Sequence, residues 1–219
     1  MKQIKRGHRE EDEFLTFMQK FTRIVLRHRD VSIVIGIIVI VSISTLVYML
    51  SSGEKQVPEA DILHTNAMGL MSMGRVQDAE NILLDLTNRF PNTRSGKVGF
   101  YYLGVLYYHT ARFDEALHYF ERFLKSQKND YLLEPAALFG AGCTAEGLKD
   151  YEKALSYYKR IIKNKESPFY FAGMLAYGRL CGLVGDTEKA QQILKELIAQ
   201  EPPPDIIADA RFYIGYFND

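Results

Sequence analysis

A pattern that returns about every 37 residues constrains this chain more than any other feature. A small residue stands at Ala67, Gly104, Gly142, Gly178 and Gly215, at steps of 37, 38, 36 and 37. A second small residue stands at Ala79, Ala116, Ala154 and Ala190, each 12 positions after a member of the first series. Two interleaved series with one period mark a helical repeat array, in which each unit buries its apolar face only against its neighbours. An array of this kind is an all-α scaffold for holding partners rather than the frame of an active site.

Each unit reads as two helices joined by a tight turn. In the second unit Phe100, Leu103, Gly104 and Tyr107 share one helical face, and Ala116, Phe120 and Phe123 follow on the next helix. A glycine or alanine at the crossing lets the second helix approach, and the large residues around it fill the remaining space. The units resemble tetratricopeptide (TPR) repeats, whose order is aromatic, Leu-Gly, Tyr, Ala, aromatic, Pro. Met174, Tyr177, Gly178, Cys181, Gly185, Asp186, Ala190, Leu194, Leu197 and Pro202 fall on the family positions in the fourth unit. Leu138, Ala141, Gly142, Ala154, Tyr158 and Ile161 do so in the third, and Leu63, Ala67, Leu70, Gly74, Ala79, Leu83 and Leu86 in the first. The resemblance covers residues 60–217 and implies an α-solenoid of about four helix-turn-helix repeats. The period exceeds the family's usual ~34 residues, so helices or connections are longer, and the second and third units lack the terminal proline. Asp205 to Phe217 carries only a first-helix pattern and is expected to be a capping helix.

Val31 to Leu50 is free of charge for twenty residues, the length that crosses a ~30 Å hydrocarbon core. It reads as a single transmembrane helix. A buried core helix and a cleaved signal peptide ending near Ser51 and Gly53 are the alternatives. Eight Lys and Arg precede the run and only Lys55 closely follows it, which places the N-terminus in the cytoplasm and the repeats on the far side, the periplasm in a bacterium. The first 30 residues form a basic leader, with Phe14, Phe17, Met18, Phe21, Ile24 and Val25 on one face of an expected interfacial helix. Residues 51–59 are expected as a linker and residues 60–219 as the repeat domain. Beyond residue 50 the chain carries 19 basic and 22 acidic residues, a mildly acidic balance that gives no reason to bind nucleic acid.

No catalytic constellation stands out. His8, His28, His64, His109 and His118 show no metal-ligand spacing, and Gly140 and Gly142 lack the third glycine of a dinucleotide-binding loop. Neither cofactor, metal nor small-molecule substrate is expected, and the chain reads as a non-enzyme. Cys143 and Cys181 lie on neighbouring first helices. Helix axes ~8–10 Å apart leave them too distant for a bridge that needs Cα atoms within ~7 Å, so two separate buried thiols are expected.

By the TPR resemblance, partners bind on a concave face lined by first helices. In this sequence those positions are His64, Met68 and Met71, then Tyr101, Val105 and Tyr108, then Phe139, Cys143 and Glu146, and finally Leu175 and Arg179. Arg179 is the only strong cation among them, so the clamp by which some TPR proteins hold a C-terminal carboxylate is not expected. Two readings of the aromatic run Phe100–Tyr108 stand open: interior helices buried on two sides, or rings presented to a peptide. The architecture of leader, span, linker and array also resembles the YfgM-type inner-membrane proteins ancillary to the Sec translocon. That resemblance implies a translocon subunit, a chaperone or an exported protein as partner. The alternatives are an envelope-assembly or division adaptor of the Tol-Pal kind, a homo-oligomer, and a eukaryotic organelle-membrane receptor.

Overall fold

A computed structural model describes residues 37–47, 57–127 and 130–218. All regular structure among them is helical: α1 at residues 37–47, then α2 (Pro58–Ser72), α3 (Val76–Arg89), α4 (Arg94–His109), α5 (Phe113–Ser126), α6 (Leu133–Gly147), α7 (Tyr151–Ile161), α8 (Tyr170–Leu183), α9 (Thr187–Ala199) and α10 (Pro204–Tyr216). The chain divides into two units, Met1–Gly53 and Glu54–Asp219.

In the first unit α1 exposes Ile37, Ile38, Val39, Ile40, Val41, Ile43, Leu46 and Val47. The expected span at 31–50 is described only over α1, and among the described residues no helix is long and apolar enough to cross a membrane. The leader at 1–30 and residues 51–56 of the expected linker lie outside the described residues. The linker's last two positions belong to α2 instead: Pro58 opens the helix, and Glu59 and Asp61 stand in its first turn. Proline's fixed φ suits the first helical position, and acidic side chains there favour the positive end of the helix dipole.

In the second unit α2 to α9 form four helix pairs, as the period requires. Each pair closes through the same turn. Gly74, Ala111, Lys149 and Gly185 all take positive φ, at 73°, 57°, 63° and 96°. The next residue's N–H reaches back to a carbonyl five positions earlier: Arg75 to Leu70, Arg112 to Tyr107, Asp150 to Ala145 and Asp186 to Cys181, each at 2.9 Å. This is the left-handed helix ending that glycine fills without strain. Asp150 and Asp186 then accept from the N–H of Lys153 and Lys189, capping α7 and α9.

The small residues do what their spacing implies. The Phe120 ring of α5 is wedged between Gly104 of α4 and Gly140 of α6. A β-carbon on either glycine would lie 2.8 Å or 2.5 Å from that ring. The Tyr158 ring covers Gly142, where a β-carbon would lie at 2.4 Å, and Leu194 covers Gly178 at 2.9 Å. Ala79, Ala116, Ala154 and Ala190 are fully buried one turn before Leu83, Phe120, Tyr158 and Leu194. The extra length of the period resides in the connections. Residues 90–93 and 200–203 join their helices tightly and contain Pro91 and Pro202, whereas residues 127–132 and 162–169 run longer where that proline is missing.

The array ends on α10, a first-type helix packed on α8 and α9. Its Gly215 continues the small series but faces open space. One period before its Arg211 and Asn218, Met174 and Cys181 are buried, whereas Arg211 and Asn218 are exposed. The end face is thereby made polar, which an open array needs for solubility. Equivalent glycines in the sequence should therefore respond oppositely. Gly142→Ala is expected to destabilise by about 1–3 kcal/mol through overpacking against Tyr158, and Gly215→Ala to be neutral or to stabilise by up to about 1 kcal/mol through helix propensity. Denaturant melts of the two variants check this.

Candidate partner-binding groove

The first helices of neighbouring repeats run close together, α2 beside α4, α4 beside α6 and α8 beside α10, while the second helices approach one another less. These first helices form one row, called the inner row below. All eleven residues expected to line a groove sit on this row and all are half-buried: His64, Met68 and Met71 on α2, Tyr101, Val105 and Tyr108 on α4, Phe139, Cys143 and Glu146 on α6, Leu175 and Arg179 on α8. The apolar side chains among them rest partly on the core. Tyr101 meets Phe120 and Phe123 edge-on or tilted at 6.0 and 5.8 Å, Tyr108 lies 5.9 Å from Phe113, and Phe139 lies 5.7 Å from Tyr158 and 5.8 Å from Phe169.

Two sets of tyrosines near the first-helix row differ. Tyr107, Tyr157 and Tyr158 are buried, and each hydroxyl donates to a carboxylate, Glu80 at 2.8 Å, Glu121 at 2.8 Å and Glu146 at 2.7 Å. Each of these carboxylates is also held by a cation, Glu80 by Arg112 at 2.9 Å, Glu121 by Lys153 at 2.9 Å and Glu146 by Arg179 at 2.6 Å. The Tyr107 and Tyr157 bonds join one repeat to the next. Burial first, and the facing carboxylate second, pushes the Tyr107 and Tyr157 hydroxyls well above the ordinary phenol range, so both stay protonated donors. Tyr101, Tyr102 and Tyr108 differ: they are half-buried, and their hydroxyls are not among the buried atoms without a partner. The His64 ring lies 5.7 Å from that of Tyr102, and its Nε2 is buried without a partner. Fixed rings fit the reading in which the run on α4 presents aromatics to a ligand.

Glu146 and Arg179 are not separate contact points. Arg179 Nη2 donates to both carboxylate oxygens, at 2.6 and 2.8 Å, across the gap between α6 and α8. Tyr158 adds its bond to the same carboxylate and approaches Cys143 Sγ at 3.4 Å. The floor of the groove is thus electrically neutral. Both cysteines are free, Cys181 buried and Cys143 half-buried, and burial raises both thiols above their usual value, which keeps them protonated and weakly nucleophilic. Among the described residues no group of three or more His, Cys, Asp and Glu side chains could hold a metal ion.

Three residues of this face lie outside those eleven. Tyr102 fills the space beside His64. Phe212 and Tyr216 lie one period of 37 after Leu175 and Arg179, which carries the row onto α10. The period alone could have found the last two, but a segment read only as a cap hides them.

Over residues 7–211 the chain matches the family model described as T7SS, ESX-1 secretion system protein EccA1, N-terminal domain. The chain belongs to this family. No curated protein matches it. Among solved structures, this EccA1-family chain is similar to a Podosopora anserina putative kinesin light chain with TPR-like repeats, at 14% identity, 73% of this chain, 85% of that one and a TM-score of 0.59. It is similar to YrrB, described as a TPR protein with an unusual peptide-binding site, at 17% identity, coverage of 70% and 75%, and a TM-score of 0.55. It is also similar to PilW, described as a widely conserved type IV pilus biogenesis factor, at 15% identity, coverage of 74% and 77%, and a TM-score of 0.55. At these identities the likeness establishes the TPR fold alone, as the sequence resemblance implied.

His64 gives the groove a pH signature. Burial lowers its pKa from the usual value of 6.5, with Asp61 opposing the shift. The unfolded chain then takes up a proton near pH ~6.5 that the folded chain takes up only at lower pH, so stability falls as pH drops through that interval. The melting temperature of the wild type is expected to fall more steeply below pH ~6.5 than that of His64→Gln, as measured by melts from neutral to mildly acid pH. Parallel curves would remove His64 as the cause.

Proposed function

We propose that this chain is a membrane-anchored, non-enzymatic scaffold that binds a peptide or protein along the first-helix groove and serves protein secretion. The observation that carries the binding role is the run of half-buried rings on the first helices, Tyr101 and Tyr108 on α4 and Phe139 on α6, each resting on core rings. Aromatic side chains already immobilised by a core lose little entropy on binding and are common hot spots.

Membrane anchoring is supported by the charge-free run at 31–50 and by the apolar surface of α1. The placing of the array on the outer side of the inner membrane is supported by the Lys and Arg asymmetry around that run. The role in secretion is supported by the family, which is named for a secretion-system protein, and it agrees with a partner that is a translocon subunit, a chaperone or an exported chain. A few residues join the run to α2, so a tethered array works at an effective concentration on the order of mM toward anything emerging beside it.

Removing the rings tests the groove. Tyr101→Ala with Tyr108→Ala is expected to weaken capture of partner at least tenfold, corresponding to about 1.4 kcal/mol or more, with the helical circular dichroism signal retained. Pull-down from membrane extracts, quantified by mass spectrometry, checks it. Capture at wild-type level by the folded variant would sink the groove assignment.

A further inference from the structure

The two helices of each pair run antiparallel, so the starts of the first helices and the ends of the second helices share one edge of the array. Arg89 in the last turn of α3 pairs with Glu59 in the first turn of α2, and Ser95 of α4 bonds Asp61 of α2. Arg160 in the last turn of α7 faces Glu134 in the first turn of α6. The longer connections before α6 and α8 meet at this edge, where the Tyr131 hydroxyl donates to the Glu166 carbonyl at 3.0 Å. Beside that bond an apolar tip stands in solvent, with Tyr131 67% and Leu132 56% exposed. Exposed Lys125, Lys159, Arg160, Lys163 and Lys165 accompany it. From 153 to 165 the chain carries five Lys and Arg and no Asp or Glu, in an array that is mildly acidic as a whole.

Three carboxylates lie nearby. Asp130 accepts from the N–H groups of Leu132 and Leu133 at the start of α6, Glu134 faces Arg160, and Glu166 is exposed, so the cations are in excess. Arg75, Arg112 and Arg179 sit on their carboxylates at 2.6 to 2.9 Å. Arg160 stands 3.9 Å from Glu134, outside hydrogen-bond reach. Between the two connections opens a cavity of about 370 Å³, with buried Pro135, Leu138 and Ile161 in its lining and exposed Arg160 and Asn164. Lys125, Lys159 and Arg160 also favour the negative ends of α5 and α7. Lys163 and Lys165 lie beyond the last turn of α7, and compensation of a helix dipole gives no reason to expose Tyr131 and Leu132.

We propose that this edge docks on an anionic phospholipid surface, with Tyr131 and Leu132 entering the headgroup layer, the lysines over lipid phosphates and Arg160 holding one phosphate at the mouth of the cavity. The inference rests on the membrane anchoring read above. Residues 51–57 join the charge-free run to the start of α2, which lies on the same edge. Seven residues reach at most about 25 Å, so a bilayer holding that run is the surface this edge meets first. The chemistry fits that surface. Amphipathic rings settle at headgroup level, and basic clusters beside apolar side chains are drawn to anionic lipid. A soluble acidic protein would satisfy the lysines but would not call for an exposed leucine among them. Docked by its edge, the array keeps its inner row open to a partner.

The chain has no tryptophan, so Leu132→Trp reports on this edge by its own emission. Tyr151→Trp reports on the opposite edge, where that exposed residue opens α7 after the turn. The full chain carrying either change is reconstituted into vesicles of phosphatidylcholine, alone or mixed with phosphatidylglycerol, with and without brominated acyl chains that quench tryptophan on contact. Leu132→Trp is expected to shift to the blue and lose emission to the brominated lipid in the anionic vesicles, and much less in the neutral ones. Tyr151→Trp is expected to keep its emission in both. Lys159→Gln with Lys163→Gln and Lys165→Gln, added to the Leu132→Trp chain, is expected to abolish the quenching while the helical circular dichroism signal is retained. Flotation with the vesicles after an alkaline wash tests the anchoring separately. A chain that washes off would remove the anchoring reading and this inference with it. A chain that floats with Leu132→Trp unquenched would overturn the inference alone. Equal quenching in neutral and anionic vesicles, or quenching that survives the lysine changes, would overturn the anionic lipid as occupant. Quenching of Tyr151→Trp to the same extent would overturn docking by this edge. A shift of the Leu132→Trp emission by a soluble glutamate-rich peptide, with no quenching by lipid, would assign the patch to an acidic protein and overturn the lipid surface.

Discussion

A ring pressed against a residue with little or no side chain holds this molecule together. Phe120 is the clearest case, because it fits between Gly104 and Gly140 and so joins the first helices of two successive repeats to the second helix between them. Tyr158 over Gly142 and Leu194 over Gly178 repeat the contact. Each such side chain removes enough apolar surface from water to stabilise by about 1.5–3 kcal/mol, and it does so only where no β-carbon intervenes. The close spacing of the helices follows from these contacts.

With the helices fixed by rings on one side, the opposite side of each first helix is left half-buried, and that is where function can reside. Buried polar groups in the array are paired: the Tyr107 and Tyr157 bonds to Glu80 and Glu121 lock repeats together, and Arg179 with Glu146 links α8 to α6. Breaking one partner of such a cluster leaves the other buried and unsatisfied, which costs more than the pair contributes. Among the described residues the exception is His64 Nε2, on the inner row.

Most of the fold was legible because its determinants are single residue types at fixed spacing. The two small series mark the helix crossings, and the same period locates the turns, even where Ala111 and Lys149 stand in a left-handed conformation that Gly74 and Gly185 adopt freely. The longer connections after α5 and α7 were signalled only indirectly, by the absence of proline. The candidate site was legible in outline and not in chemistry. Helical spacing puts Glu146 and Arg179 on the same row, but their separation of 33 residues departs from the period, so nothing local marks them as a pair. Which tyrosine hydroxyls are engaged depends on carboxylates one repeat away. The aromatic pair on α10 was hidden for a different reason: a terminal helix is read for what it covers, and these rings face the other way.

The central claim is that the inner row, and not the outer one, meets the partner. Site-specific photo-crosslinking in cells compares the two directly, with the reactive residue placed at Phe139 on α6 or at the exposed Lys159 on α7. The account predicts capture of the same non-self protein from Phe139 in the wild-type background, its loss when Tyr101 and Tyr108 are truncated, and no capture from Lys159. Capture from Lys159 alone, or from Phe139 regardless of the truncations, would contradict it.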